Sequence, residues 1–236
     1  MAETDHRIPV GDGESVAAVH HEATGDDWLV FCHGFLSDKS GSYERRCRRA
    51  VERGYNAVRF DFRGCGESDG AFVDQTLSSK LADLAAVVEW FEPPSYALFG
   101  SSFGGKVAFH AAAEDERLEA IVTRAPVTYN PTFDAYRTVV EGEGACQFDT
   151  GDRIDQRFFA DFDDYAFDDV ADSIDVPVAI FHGRQDDSVD VSHSIEATAA
   201  LETNLLLETF AEEGHLFSSE AEERLLERTF HWLETQ

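Results

Sequence analysis

Short apolar runs alternate along the chain with segments whose apolar residues recur at helical spacing. "WLVFCHG" (28–34), "NAVRFDF" (56–62), "YALFGSS" (96–102), "EAIVTRA" (119–125), "VPVAIFHG" (176–183) and "NLLLETF" (204–210) are mostly apolar on both faces. That is the pattern of parallel strands covered by helices on either side. "YERRCRRAVERG" (43–54), "SKLADLAAVVEWF" (79–91), "KVAFHAAAED" (106–115) and "SHSIEATAALE" (192–202) read as the intervening helices. A last helix opens at "SSEAEE", where Ser219 and Glu222 have capping-box spacing, and runs on to the end of the chain. The opening "IPVGDGESVAAVHHE" (8–22) suits an antiparallel hairpin at the edge of the sheet. The alternation predicts an α/β fold with a doubly wound, mostly parallel sheet in one domain spanning 1–236.

The rhythm breaks between Thr128 and Ala171. This stretch lacks a clear strand–helix alternation and carries nine aromatics, among them Tyr129, Phe133, Tyr136, Phe158 and Phe162. A segment this long inside a compact domain is more often a functional lid than a plain loop. We expect a small, mostly helical lid insertion over the C-terminal edge of the sheet.

One strand-to-helix junction holds three glycines, Gly100, Gly104 and Gly105, around Ser102. Gly100-Ser101-Ser102-Phe103-Gly104 is G-x-S-x-G in the context the motif needs. A sharp turn there lifts the serine hydroxyl above the sheet, and the glycines let strand and helix approach closely. The Phe103 N–H, at the positive end of the helix, then faces any oxyanion formed beside Ser102. A serine hydroxyl needs a base, and the base needs an acid that fixes its tautomer. "VAIFHGRQDDSV" offers Asp186 and Asp187 after one strand, and "LLLETFAEEGHLF" offers His215 in the loop after the next. Of the other histidines beyond that acid pair, His193 and His231 lie on helices at spacings that suit packing. "FCHGFLSDKSG" supplies a second oxyanion donor, the Phe35 N–H, with His33 read as a buried hydrogen-bonding residue. "DFRGCGESDG" (61–70) lacks the ending of a phosphate cradle and is expected to shape one wall of the pocket. Cys65 within it reads as a packed thiol.

The motifs "FCHGF", "VRFDFRGCGESDG", "GSSFGG", "HGRQDDSV" and "EEGHLFS" stand in the order and rough spacing of the α/β-hydrolase superfamily. The chain resembles its small serine-esterase branch, with cinnamoyl/feruloyl esterases and monoacylglycerol-lipase or S33-peptidase-like proteins, over nearly its whole length outside 128–171. The resemblance implies Ser102 as nucleophile, Asp186 as acid, His215 as base, and the Phe35 and Phe103 amides as oxyanion hole. Asp186 is preferred to Asp187 because the family's spacing counts to it from His182-Gly183. Phe103 stands where Gln, Met or Leu is common, which narrows or redirects the acyl pocket. Asp190 stands where a proline often does. The implied activity is hydrolysis of small-molecule carboxylic esters with apolar acyl or aryl groups, with no metal and no organic cofactor. A thioesterase or peptidase with the same residues, or a non-catalytic binding protein of the same fold, are the alternatives.

Composition adds a constraint on partners. The chain carries 47 acidic and 19 basic residues, a formal net charge of −28, and among the basic residues only Lys39, Lys80 and Lys106 are lysines. Such a surface excludes nucleic acid as a partner. The acids are dispersed along the chain, as in the halophilic archaeal proteins its composition resembles, and not gathered into a tract that would dock a basic partner. "MAETDHRIPVGDGES" is unlike a signal peptide, and no apolar run reaches membrane-spanning length. The four cysteines show no metal or redox spacing, so free thiols in a cytoplasmic protein are expected. Oligomeric state is left open.

Overall fold

The computed structural model describes residues 2–11 and 13–236. Eight strands form one sheet: β1 (Glu3–Gly11), β2 (Glu14–His21), β3 (Trp28–Cys32), β4 (Asn56–Phe60), β5 (Tyr96–Ser101), β6 (Leu118–Arg124), β9 (Val178–Gly183) and β10 (Leu205–Phe210). They lie in the order β1-β2-β4-β3-β5-β6-β9-β10. The six strands from β4 to β10 run parallel, and the hairpin β1–β2 joins the edge antiparallel, as its alternation predicts. Met1 and Asp12 lie outside the described residues.

Each parallel strand sends alternate side chains to two separate cores. Val30 and Cys32 of β3 pack with α2 (Leu77–Phe91) and α3 (Phe103–Ala111), while Leu29 and Phe31 pack with α1 (Ser42–Glu52) and α7 (Ser219–Leu233). Because both faces are covered, these strands tolerate almost no polar residue, which is why they read as continuous apolar runs. Helix α6 (Val191–Ala200) covers the first face beside β9 and β10.

The start of α7 differs from its expected cap. Ser218, not Ser219, is the N-cap, its hydroxyl accepting the Ala221 N–H at 3.2 Å. Glu222 does not reach back to the cap. It is buried and paired with Arg46 instead, since an apolar interior holds a carboxylate only when a cation meets it.

Between β6 and β9 the chain builds α4 (Asp134–Glu143), a two-stranded ribbon of β7 (Ala145–Gln147) and β8 (Arg153–Asp155), α5 (Gln156–Phe162) and several single-turn helices. The ribbon is absent from the expected, mostly helical picture, because three-residue strands are too short to display a period of two. The segment packs over Phe35, Phe72 and Phe103 at the C-terminal ends of the strands. All three lysines are buried, Lys39 at 7%, Lys80 at 1% and Lys106 at 1% exposure, so every exposed cationic side chain apart from histidine is an arginine.

Candidate active site

Neighbouring strands set the stage. Cys32 pairs with Gly100 in register, so the loops that follow β3 and β5 leave the sheet side by side. A Cβ on Gly34 would lie 3.2 Å from the Ser102 Cβ, which puts the His33-Gly34-Phe35 backbone against the serine. Ser102 itself has φ 53° and ψ −117°, a conformation that an L-residue adopts only under constraint. Its N–H donates to the Arg124 carbonyl at 2.9 Å, and its own carbonyl accepts from Gly105 at 2.9 Å and Val127 at 3.0 Å. Those three bonds hold the strained turn.

The glycines are a steric requirement of that turn. A Cβ at Gly100 would sit 2.3 Å from the Gly104 carbonyl oxygen, and one at Gly104 would sit 2.3 Å from that of Cys32. At Gly105 it would meet Pro126 at 2.6 Å. Helix and strand can approach this closely only without side chains.

The structure brings Ser102, His215 and Asp186 into one line. His215 Nε2 lies 3.0 Å from Ser102 Oγ, and His215 Nδ1 lies 2.8 Å from Asp186 Oδ2. With the Nδ1 proton donated to the carboxylate, Nε2 presents a lone pair to the serine hydroxyl. The Asp186 side chain is fully buried. Its Oδ1 accepts the Ser188 and Val189 amides, each at 2.9 Å, and its Oδ2 also meets His182 Nε2 at 3.2 Å. Burial works to raise this carboxyl, but the hydrogen bonds from His182, His215 and Val189 outweigh it and hold it well below the usual carboxylate range. Ser194 Oγ, 2.7 Å from His182 Nδ1, completes the support. Asp187 is exposed and reaches only the Ser188 hydroxyl, at 3.4 Å. His193 packs edge-on to Tyr129 near Thr132, and His231 is exposed on α7.

Phe35 and Phe103 flank the serine, with ring centroids 5.8 Å apart. Among the described residues neither backbone N–H is taken by another protein group. His33 is buried; its Nδ1 donates to the Gly34 carbonyl at 2.8 Å and its Nε2 accepts the Phe62 N–H at 3.1 Å. Burial, reinforced by the nearby Lys80, pushes its pKa down to about 3, so it stays neutral and holds the loop's shape.

A cavity of about 430 Å³ opens above Ser102 and His215, lined further by Phe35, Val127, Phe133, Tyr136, Thr132 and Ser188. No described residue of 61–70 lines it, contrary to the expectation for that loop. Its backbone coils on Asp61, whose carboxylate gathers the Lys39 N–H, the Lys39 ammonium and the Glu67 N–H at 2.6 to 2.9 Å. Gly66 presses so close to Asp61 that a Cβ would fall 2.3 Å from Oδ2. The loop therefore turns toward the N-terminal hairpin, where Asp69 bonds Ser15 and Arg7. Cys65 is buried with its thiol pKa raised by burial, the condition of an unreactive sulfur.

Two arginines that sequence reasoning passed over brace the site from beneath. Arg46 on α1 pairs with Glu222 on α7 and donates to Ser101 Oγ at 2.9 Å. Arg124, at the end of β6, donates to the His215 carbonyl. Their signal lay in the sequence: Arg46 stands on the buried stripe of α1 with Tyr43, Cys47 and Ala50, and Arg124 ends a strand that is buried throughout except at Glu119. Among the described residues no cluster of three or more His, Cys, Asp or Glu could hold a metal ion. No helix there is long and apolar enough to cross a membrane.

Sheet order, nucleophile-type turn and cover helices define an α/β-hydrolase fold. The structure of Est1E from Butyrivibrio proteoclasticus with bound ferulic acid superposes with a TM-score of 0.87 over 98% of both chains, at 22% identity, a likeness that carries the fold. The chain belongs to the prolyl oligopeptidase family, whose sequence profile matches residues 42–236. It is 29% identical over 133 residues to an uncharacterized 31.7 kDa protein from a traX–finO intergenic region of Escherichia coli, covering 52% of this chain and 45% of that one. To the human mitochondrial palmitoyl-protein thioesterase ABHD10 it is 31% identical over 99 residues, 40% of this chain and 31% of that protein. The matches thus span less than half the length of these curated relatives.

Proposed function

We propose that the protein is a serine hydrolase that cleaves carboxylic esters with apolar acyl or aryl groups through an acyl-enzyme. The observation that carries this reading is the continuous line Ser102 Oγ–His215 Nε2, His215 Nδ1–Asp186 Oδ2, at 3.0 and 2.8 Å. In it His215 takes the Ser102 proton as the oxygen attacks the ester carbonyl, and Asp186 stabilises the imidazolium that forms. The free amides of Phe35 and Phe103 receive the oxyanion. His215 then protonates the departing alcohol, and a water activated by the same imidazole releases the acid. The aromatic segment over the cavity serves as its lid.

Labelling with a fluorophosphonate probe tests the reading. Ser102 becomes covalently modified and aryl-ester turnover stops with it; intact protein after exposure to the probe would reduce the site to a binding pocket. A second reading, thioester hydrolysis, is favoured by the similarity to ABHD10. It is separated by comparing an oxygen ester and a thioester of the same acyl group.

The surroundings also bear on setting. Four buried, unpaired cysteines support a reducing compartment such as the cytoplasm. A charge of −28 supports work in concentrated salt, where the Debye length contracts to about 3 Å at 1 M from about 30 Å at 0.01 M. A thermal midpoint that climbs from dilute buffer to molar KCl accords with this; a flat one points to a basic partner.

A further inference from the structure

We infer that the acyl side of the Ser102 cavity is closed by a fixed stack of phenylalanine rings, so that the enzyme accepts short or flat acyl groups and rejects long alkyl chains. The inference rests on the ester-hydrolase reading above. The cavity ends on the side of the insert at Phe35 and Phe133. Directly behind them lie Phe103, Phe158 and Phe162. Phe158 is the centre of this stack, with ring centroids 5.7 Å from Phe35, 5.9 Å from Phe103, 5.6 Å from Phe133 and 5.4 Å from Phe162. Phe103, Phe133, Phe158 and Phe162 are each at most 3% exposed. A long chain threading past the serine in this direction would have to displace packed rings, at an overpacking cost that grows with the volume inserted.

The stack is also tied down. Lys106, one helical turn beyond Ser102, donates from Nζ to Asn130 Oδ1 at 2.7 Å and to the Tyr165 carbonyl at 2.6 Å. The same nitrogen lies 4.8 Å from the centre of the Phe162 ring. Asn130 in turn donates to the Phe162 carbonyl at 3.1 Å. On the far side, Asp161 of α5 accepts the Leu77 N–H at 2.7 Å and the Ser78 N–H at 3.2 Å, at the start of α2. Helix α5 is thereby held between α2 and α3 and cannot swing aside without breaking these polar contacts. Away from the insert, the rim offers Asp187 and Ser188, polar groups suited to a leaving group and not to an alkyl tail.

The test is kcat/KM across p-nitrophenyl acetate, butyrate, octanoate and palmitate. In the unaltered protein we expect a fall of about tenfold to a hundredfold between butyrate and octanoate, the cost of overpacking a filled site. Phe158→Ala, which does not line the cavity, should raise octanoate turnover by about tenfold while leaving butyrate turnover in place. Phe158→Leu, gentler on folding, should move the profile the same way by less, with circular dichroism reporting the fold of both. Labelling rates of the unaltered protein with short and long alkyl fluorophosphonates give a second readout that needs no variant, and the short probe should react faster. Equal rates for butyrate and palmitate, or folded variants that keep the original profile, would overturn the stack as the limit while leaving the hydrolase reading intact. Failure of every ester together with an unlabelled Ser102 would remove both.

Discussion

On the His215 side of Ser102 the contacts are directional, and on the Phe133 side they are not. Asp186 uses both oxygens on four donors, fixing one imidazole orientation to within the width of a hydrogen bond. Across the serine, rings meet at centroid separations of 5.2 to 5.8 Å in edge-on, tilted and stacked pairs alike. A hydrogen-bonded line fails when one atom changes, because the remaining polar groups lose their partners in a dry site. Packed rings yield by degrees, because area and volume are graded quantities. The first region should therefore govern whether reaction occurs and the second which acyl groups enter.

The comparison breaks most severely at its hinge. Ser102→Ala should lower aryl-ester kcat on the order of a millionfold with the fold intact, as loss of such a serine does in subtilisin. Retention of activity within about tenfold would take the nucleophile's role from Ser102. Next comes the acid. Asp186→Asn should cost on the order of ten-thousandfold in kcat, since the amide leaves His215 in the wrong tautomer, while Asp187→Asn should change kcat by no more than a few fold. Reversed effects would mean that Asp187 orients the base in solution.

The buried brace beneath the line should show in stability before it shows in rate. Arg46→Met strands the Glu222 carboxylate and unbonds Ser101 Oγ, so unfolding free energy should drop by roughly 3–5 kcal/mol in denaturant melts. The double variant Arg46→Met with Glu222→Leu should recover most of that loss. Failure of the recovery would show that the pair does more than neutralise itself.

The smallest effect sharpens the aromatic side. Burial lowers the Lys106 pKa from 10.5 to about 7. Between those values the unfolded chain holds more protons than the folded one, so the stability tied to this group rises with pH across that window and is constant below it. The unfolding free energy of the unaltered protein minus that of Lys106→Met should thus widen between pH 7 and 10, on the order of a few kcal/mol. A difference that stays flat would place the amine in contact with water and the stack with it.

What could be read from sequence divides along the same line. Ser102 and its glycines stood out because the turn is too tight for a Cβ, and His215 and the Asp186–Asp187 pair because each follows a strand end; the choice of Asp186 came from the family resemblance. The insert between β6 and β9 was legible as an interruption, but β7 and β8, at three residues each, carry too few positions to show a period. The cap of α7 was misplaced by one residue because only Ser219 has a glutamate three residues on, whereas that glutamate, Glu222, packs against Arg46 and leaves Ser218 as the cap. Those two residues are 176 positions apart, as are Arg124 and His215 by 91, and no local pattern announces such a meeting. The loop 61–70 went astray for a related reason. Its glycines reported a tight turn correctly, yet the partner they turn about is Asp61 and not a substrate.

The burial of all three lysines gives this protein an unusual chemical transparency. Reagents that acylate primary amines, and coupling resins built on the same chemistry, meet guanidinium groups across the folded surface and no side-chain ammonium. Each lysine becomes available only when its surroundings open: Lys106 with the insert, Lys80 with the core between α2 and the sheet, Lys39 with the loop around Asp61. The order in which the three acquire an acyl label would therefore time the opening of three different parts of the molecule.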